Sequence, residues 1–286
     1  MTRPTPDTPR LSLGTAQWGL AYGATNQVGR LSDETIADIV SVAREWGITD
    51  IDTAANYGDA QRRLRPWASD FTITTKVHAS RDIGEQLFDT LRDLDVDSVD
   101  TLLLHDWEEA DDEARERAVR SLRRAVHDDL VVHAGVSVYD EAGVATAVAA
   151  FDRARLPLGA LQVPANVLDR RLDESALLRE LAKAGCDITV RSAFLQGILL
   201  AESGGRADHL DTMRFREWVA SAGAGSLTAA CLNHVRALPW AGHVTVGVTS
   251  APELSEVCEA WASTTPRPAP TELGSGDLAL IDPRRW

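Results

Sequence analysis

The stretches ITDID at 48–52, FTITTK at 71–76 and VDTLLLH at 99–105 decide the fold of this 286-residue chain. Each is a short β-branched or leucine-rich run, and amphipathic helical stretches separate them. This alternation is typical of parallel βαβ units. The pattern predicts strands near 11–15, 48–52, 71–76, 99–104, 131–136, 160–163, 187–191 and 243–247. We therefore predict an α/β fold, a (β/α)8 (TIM) barrel that forms one domain over residues 1–286.

The predicted helices carry recognisable signals at their ends. Ser32 is a suitable N-cap for a helix whose apolar residues recur at helical spacing, and Gly47 can end that helix. Asp140 is placed to cap another helix after the fifth strand. These signals support helices between the predicted strands.

Two segments break the alternation. Residues 192–225 are far longer than the usual βα loop of about 2–6 residues. The polar, glycine-containing ESGGRADHLDTM at 202–213 predicts a flexible loop over the barrel mouth. A Pro-rich stretch then opens a tail, about 264–286, that we expect to pack on the barrel. The residues that suggest this packing are Leu278, Leu280, Ile281 and Trp286.

The amino-acid composition argues against several classes of binding partner and of structural site. The 29 basic and 43 acidic side chains give a net charge of -14, which argues against nonspecific nucleic-acid binding. Cys186, Cys231 and Cys258 are widely spaced and form no CxxC pair, so neither a disulfide framework nor a metal site is predicted. The chain shows no signal core and no membrane-spanning run. We expect a cytoplasmic monomer or weak homo-oligomer with a small-molecule substrate.

Four chemically active side chains follow three successive strands: Asp52, Tyr57, Lys76 and His105. Strand ends converge on one face of a parallel barrel, so these residues should meet there. A phenol has a pKa of about 10, a neighbouring lysine cation favours the phenolate, and an aspartate keeps that lysine charged. Tyr57 could then donate a proton to a developing alkoxide, with His105 as a second donor. The alternatives to a catalytic role are a surface tyrosine, a lysine at the sheet edge, an aspartate that caps the following loop, and a histidine in the core.

At these residues the chain resembles the aldo-keto reductases, and in particular a bacterial branch of that family. IDTAANYGDAQRRL (51–64), TTK (74–76) and LLLHD (102–106) match the family's Asp–Tyr, Lys and His motifs. The match continues through LGTAQWGLAYG (13–23), GVSVY (135–139), LQVPANVLDRR (161–171), RSAFLQGILL (191–200) and VTVGVTSAPELSEV (244–257). The resemblance implies an NAD(P)-dependent reductase that converts an aldehyde or ketone to an alcohol, with Tyr57 as general acid.

The resemblance also implies the cofactor contacts. Gly14 and Thr15 would approach the nicotinamide, and Ser137 and Gln162 would bind its carboxamide. The turn GVTS before a helix is a suitable phosphate cradle. The family's pyrophosphate, cradle and adenine positions correspond here to Ser192, Phe194, Leu195, Gln196, Gly197, Gly247, Thr249, Ser250 and Glu256. The implied cofactor is NADPH, with NADH as the alternative.

The chain departs from the family pattern at three positions. Arg191 stands where a tyrosine usually stacks on the nicotinamide, and Val138 stands where an asparagine is usual. Glu253 stands where many NADPH-dependent members carry Arg or Gln for the 2′-phosphate, so NADH is also a possible cofactor. Because guanidinium groups stack well on planar groups, Arg191 is predicted to replace the tyrosine platform. The alternative is that Arg191 turns away to a carboxylate or a phosphate.

The substrate is the least determined part of the prediction. Trp18 and Trp107 are predicted to line the mouth, where a tryptophan suits sugar rings and aromatic aldehydes equally. By analogy with the bacterial branch, the substrate is a sugar or a secondary-metabolite intermediate. Two other functions stay open: a cofactor-retaining epimerase or lyase, and a non-catalytic, cofactor-binding regulatory barrel.

Overall fold

In a computed structural model that describes residues 9–222, 225–263 and 265–286, eight parallel strands close into a barrel in sequence order. The last strand pairs with the first from Arg10↔His243 to Gly14↔Gly247, which closes the sheet. The predicted (β/α)8 fold is confirmed. The strands are β1 (Arg10–Gly14), β2 (Asp50–Asp52), β3 (Thr72–Val77), β4 (Val99–Leu104), β5 (Val131–Ser137), β6 (Ala160–Pro164), β7 (Asp187–Arg191) and β8 (His243–Gly247).

Helices connect the strands and cover the outside of the barrel. Within the described ranges, no helix has the length and apolarity needed to cross a bilayer. The helices are α1 (Ala16–Gly19), α2 (Asp33–Glu45), α3 (Ala60–Leu64), α4 (Ile83–Leu94), α5 (Asp112–His127), α6 (Glu141–Ala154), α7 (Ala176–Lys183), α8 (Leu210–Ala222), α9 (Leu227–Arg236), α10 (Ala251–Ser263) and α11 (Leu278–Ile281).

Local side chains explain where two of these helices begin and end. The Ser32 hydroxyl accepts the Thr35 amide at the start of α2, and Gly47 beyond its end has φ of 69°. Asp140 accepts the Gly143 amide at 3.0 Å at the start of α6. Such caps satisfy amides that have no partner within the helix.

The N-terminal end of the barrel is closed by charged groups. His243 contacts Asp187 at 2.8 Å and Asp50 at 3.5 Å, and Arg10 contacts Asp50 at 3.3 Å. Burial lowers the pKa of His243, but the hydrogen bonds to the two carboxylates outweigh it and raise the pKa to about 9. This end of the barrel is therefore filled by a cluster of ion pairs.

The segment predicted as a flexible loop contains regular structure. Its polar stretch forms a 3-10 turn at Gly205–Asp208 and the beginning of α8, a 13-residue helix. Arg206 explains part of this order, since its guanidinium lies 4.6 Å from the Trp286 ring centroid and contacts the Ala279 carbonyl at 3.4 Å. Residues 223 and 224 of the predicted segment lie outside the described residues, as do residues 1–8 and 264.

The C-terminal residues lie against the barrel. Leu280 and Ile281 are buried, and the Asp282 carboxylate contacts Arg284 at 2.6 Å and Arg171 at 3.4 Å. Arg171 follows β6 in the chain, so this ion pair connects the tail to the edge of the barrel mouth.

Candidate active site

Asp52, Tyr57 and Lys76 come together at the C-terminal end of the barrel. The Lys76 ammonium lies 2.6 Å from an Asp52 carboxylate oxygen and 3.5 Å from the Tyr57 hydroxyl, and it donates to the Thr53 carbonyl at 3.0 Å. Lys76 is only 1% exposed, so its ion pair with Asp52 is buried beneath the Tyr57 phenol. The geometry therefore brings an amine and a carboxylate behind one hydroxyl that faces the pocket.

Asp52 is fixed from two directions. Its second carboxylate oxygen accepts a hydrogen bond from the Gln162 amide at 2.7 Å, and the Ser137 hydroxyl contacts the Gln162 carbonyl oxygen at 3.5 Å. All three side chains are buried. The carboxylate is therefore used to orient Lys76, not to cap the following loop.

The pKa of Tyr57 is shifted in the direction opposite to the sequence-based expectation. Burial raises the pKa of the phenol above its ordinary value, the Asp52 carboxylate raises it further, and the Arg191 guanidinium lowers it. Burial also lowers the pKa of Lys76, against the effect of Asp52. Desolvation is the larger effect, so the net pKa of Tyr57 is raised although neighbouring cations favour the phenolate. Tyr57 is therefore protonated at neutral pH.

His105 lies beside Tyr57 as a neutral ring. The two ring centroids are 6.0 Å apart in an edge-on arrangement, and His105 Nδ1 is 3.1 Å from the Asn56 side-chain oxygen. Burial lowers the pKa of His105 to about 3, with further lowering from Lys76 and Arg191. At neutral pH this imidazole carries one N–H donor and one acceptor nitrogen.

A cavity of about 400 Å³ opens above Tyr57 and extends to the start of α10. Much of the predicted cofactor site lies along it. The predicted residues that line it are Gly14, Thr15, Asp52, Tyr57, Gln162, Arg191, Ser192, Phe194, Gln196, Gly197, Gly247 and Thr249.

Four predicted cofactor residues do not line this cavity. Ser137 and Leu195 are buried behind it, and Ser250 uses its hydroxyl to accept the Glu253 amide at 3.3 Å. Glu256 is exposed on α10, where its carboxylate accepts the Thr228 hydroxyl at 2.9 Å. The motif match located the correct loops but did not distinguish lining positions from supporting ones.

The residues present fit a large polar ligand such as a dinucleotide. Gln17 lines the cavity, is only 9% exposed, and its buried side-chain oxygen has no hydrogen-bond partner among the described residues. A Cβ on Gly247 would fall 2.5 Å from that oxygen, so glycine is needed to leave the amide its place. A buried acceptor without a partner is costly, and a ligand hydroxyl or amide would satisfy it.

The predicted phosphate cradle is partly filled by the chain itself. The Glu253 carboxylate accepts the Thr249 amide at 2.6 Å and the Thr249 hydroxyl at 2.9 Å. An internal anion thus occupies backbone and hydroxyl donors at the start of α10 that a ligand phosphate would use.

Trp18 and Trp107 do not contribute to the cavity, so their prediction as substrate residues is wrong. Both are fully buried, and the Trp107 indole donates to the Thr146 hydroxyl at 3.0 Å, under α6. Tyr22, which the sequence does not single out, lines the cavity together with Tyr57 and Phe194. Tyr22 stands within the quoted 13–23 motif, but a tyrosine in a loop gives no sequence signal of where it points.

Two loops meet across the cavity. The Ala24 amide donates to the Gln196 carbonyl at 3.1 Å, and a Cβ on Gly197 would fall 2.0 Å from the Thr25 hydroxyl. Ser192, Leu195 and Gln196 have φ of 60°, 48° and 55°. This left-handed backbone is strained for residues other than glycine, by about 1–3 kcal/mol each. We call residues 192–197 the strap. Its contacts with residues 24 and 25 offset the strain of this backbone.

Residues 192–225 should exchange amide hydrogens faster than the barrel strands in the cofactor-free protein, and should become protected when cofactor binds. Both loops line the cavity, so parting of the strap from residues 24 and 25 would admit a dinucleotide, and the bound ligand would contact both loops. Hydrogen exchange followed by mass spectrometry measures this, with the β4 peptide as an internal control. Equal protection of the segment with and without cofactor would contradict the prediction.

Comparison with known proteins identifies the family of the chain. A model of the Aldo/keto reductase family matches residues 10–267. No curated protein matches the chain. Among solved structures, the chain is similar to the thermostable aldo-keto reductase Tm1743 in complex with the inhibitor epalrestat, with 25% identity, a TM-score of 0.70, and 96% and 95% of the two chains covered.

Two further structures share the fold. The aldo-keto reductase AKR11C1 from Bacillus halodurans, in its holo form, is 18% identical with a TM-score of 0.74, over 97% of this chain and 95% of that one. The glycerol dehydrogenase AKR11B4 from Gluconobacter oxydans is 19% identical with a TM-score of 0.69, over 97% and 96%. Since the family model covers most of its length, the chain belongs to the aldo/keto reductase family and is an oxidoreductase that uses a nicotinamide cofactor on small-molecule carbonyl compounds.

Proposed function

We propose that this protein reduces an aldehyde or ketone to an alcohol with NADPH or NADH, and that Tyr57 donates the proton. The observation that carries the proposal is the contact of one Lys76 ammonium with both the Asp52 carboxylate, at 2.6 Å, and the Tyr57 hydroxyl, at 3.5 Å. A proton donor facing a cavity, backed by a buried ion pair, is suited to protonating a developing alkoxide.

In the proposed reaction the carbonyl oxygen binds at the Tyr57 hydroxyl. A bound reduced nicotinamide would supply the hydride to the carbonyl carbon. Tyr57 holds its proton at neutral pH, since a phenol has an ordinary pKa of about 10 and burial raises the pKa further, so it is in the form required for reduction. As the proton leaves, the forming phenolate is stabilised by the Lys76 ammonium and the Arg191 guanidinium.

His105 is proposed to orient and polarise the carbonyl through a hydrogen bond. Because the ring is neutral, it donates from only one nitrogen. Donation from Nε2 requires that Nδ1 accept from the Asn56 amide group, which is 3.1 Å away and can present either its oxygen or its nitrogen. Asn56 is therefore proposed to select the tautomer.

The cofactor is proposed to lie along the cavity from Gln162 and Gly14 to the start of α10. Gln17 supplies an acceptor without a partner at the middle of this path, and Gly247 supports it. NADPH is the cofactor proposed from the family resemblance. The Glu253 carboxylate on Thr249 favours NADH, since it would repel a phosphate at the same donors.

Replacing Arg191 with Tyr should reduce the preference of the site for the reduced cofactor. Oxidised nicotinamide is cationic, so a guanidinium beside it disfavours that form relative to the neutral reduced ring. The measurement is the dissociation constant of NADPH, NADP, NADH and NAD for wild type and Arg191→Tyr. A reduced-to-oxidised affinity ratio that does not change in the variant would show that Arg191 is not beside the nicotinamide.

Cofactor oxidation on a panel of aldoses, keto-sugars and aromatic aldehydes tests the function. The proposal includes a sugar or secondary-metabolite carbonyl as substrate and a cytoplasmic location as monomer or weak homo-oligomer. We expect turnover on at least one class of carbonyl. Product without net cofactor consumption would favour an epimerase or lyase, and cofactor binding without any turnover would favour a regulatory barrel.

A further inference from the structure

Tyr139, just beyond β5 at the barrel mouth, has an arginine on its ring from each of two distant segments. The Arg191 guanidinium lies 4.0 Å from the ring centroid, and the Arg284 guanidinium lies 4.1 Å from it. Arg191 also lines the cavity, whereas Arg284 belongs to the C-terminal tail. The ring therefore contacts one cation from the cavity wall and one from the tail.

The two arginines differ in how their charges are balanced. Arg284 contacts the Asp282 carboxylate at 2.6 Å and Asp140 at 3.7 Å. In the part of the chain that the structure describes, Arg191 has no carboxylate within ion-pair distance; it donates to the Val138 carbonyl at 3.3 Å and contacts the Ser192 hydroxyl at 3.5 Å. Arg191 is therefore held by the Tyr139 ring, one carbonyl and one hydroxyl, without a carboxylate among the described residues.

The ring is itself fixed from behind. The Tyr139 amide donates to the Glu108 carboxylate at 2.6 Å, which anchors the backbone under the ring. Arg284 contacts the ring, and the Asp282 carboxylate contacts both Arg284 and Arg171, which follows β6. A chain of contacts thus runs from the C-terminal tail to a guanidinium in the cavity.

We propose that Tyr139 positions the Arg191 guanidinium for the nicotinamide, and that Arg284 braces Tyr139, so that the C-terminal tail completes the cofactor site. The inference rests on the proposed function, in which Arg191 lies beside the nicotinamide. It adds that Arg191 favours the reduced cofactor only while its guanidinium is stacked on the Tyr139 ring. A flexible arginine without the ring would spend much of its time elsewhere, because cation–π contacts of this kind shift populations by roughly 3- to 30-fold.

The test is the affinity of the reduced and the oxidised cofactor for four variants, measured by fluorescence titration. Tyr139→Leu should lower the reduced-to-oxidised affinity ratio by about 3- to 30-fold, toward the ratio of Arg191→Tyr. Tyr139→Phe keeps the ring and should keep the wild-type ratio. Arg284→Leu should lower the ratio by a smaller factor. Arg285→Leu is the matched control, since no contact between this neighbouring arginine and the Tyr139 ring is found among the described residues, and it should leave the ratio unchanged.

Thermal melting of each variant separates a loss of fold from a loss of position. A folded Tyr139→Leu protein with the wild-type ratio overturns the inference, as does a Tyr139→Phe protein with the ratio of Tyr139→Leu. Those outcomes leave the proposed function standing, because wild type still binds cofactor. Wild-type protein that binds neither cofactor in either redox state would overturn both.

Discussion

Tyr57→Phe is expected to lower turnover by about 10²–10⁴-fold and to leave cofactor affinity unchanged, because it removes the proton donor alone. The hydroxyl is the group that the buried Lys76 ammonium contacts at 3.5 Å, and no other part of the ring takes part in the proton transfer. Initial rates of cofactor oxidation and cofactor dissociation constants measure the two halves of this prediction.

Tyr22→Phe is the matched control for Tyr57→Phe. Tyr22 is a second phenol on the wall of the same cavity, and its pKa is raised to about 12. Near-native rates for Tyr57→Phe, together with a large loss for Tyr22→Phe, would show that Tyr22 is the proton donor and would contradict the proposed mechanism.

Lys76→Met is expected to damage turnover to a similar extent and to move the pH profile. Removing a cation beside a phenol raises the pKa of that phenol, so alcohol oxidation, which needs the phenolate, should move to higher pH. Carbonyl reduction should become slower without an alkaline shift of comparable size, since Tyr57 is already protonated at neutral pH. Rates in both directions from about pH 6 to about pH 12 measure the shift, because the pKa of Tyr57 lies above the ordinary phenol value of about 10.

The stability of the Lys76 variant needs its own control. Leaving the Asp52 carboxylate buried without its cation costs about 3–5 kcal/mol of unfolding free energy. Asp52→Asn combined with Lys76→Met removes both charges and should recover much of the melting temperature but not the activity. An unchanged pH profile in a folded Lys76→Met protein would count against the pair.

The sequence was sufficient to predict the barrel and the contact between candidate catalytic side chains that are distant in the chain. Strand periodicity predicted each of the eight strands, and convergence of strand ends brought Asp52, Tyr57 and Lys76 together. These inferences succeed because period and topology leave one face of the barrel for all strand ends. Both predictions depend on the pattern of strands and helices and not on the conformation of any one side chain.

The directions of side chains and the balance of electrostatic effects could not be predicted in the same way. Trp18 and Trp107 follow strands in the expected places, yet both turn into the core. The sign of the Tyr57 pKa shift depends on how deeply the phenol is buried relative to its neighbouring charges. The stack of Tyr139 with Arg284 joins residues far apart in sequence, and no local motif indicates it.

The most direct test of the central claim is the stoichiometry of the wild-type reaction on the best carbonyl found in the panel. We predict one equivalent of reduced cofactor oxidised for each equivalent of alcohol formed, measured together by absorbance and by chromatography of the product. Product formed without a matching loss of reduced cofactor would contradict the claim that this site reduces a carbonyl.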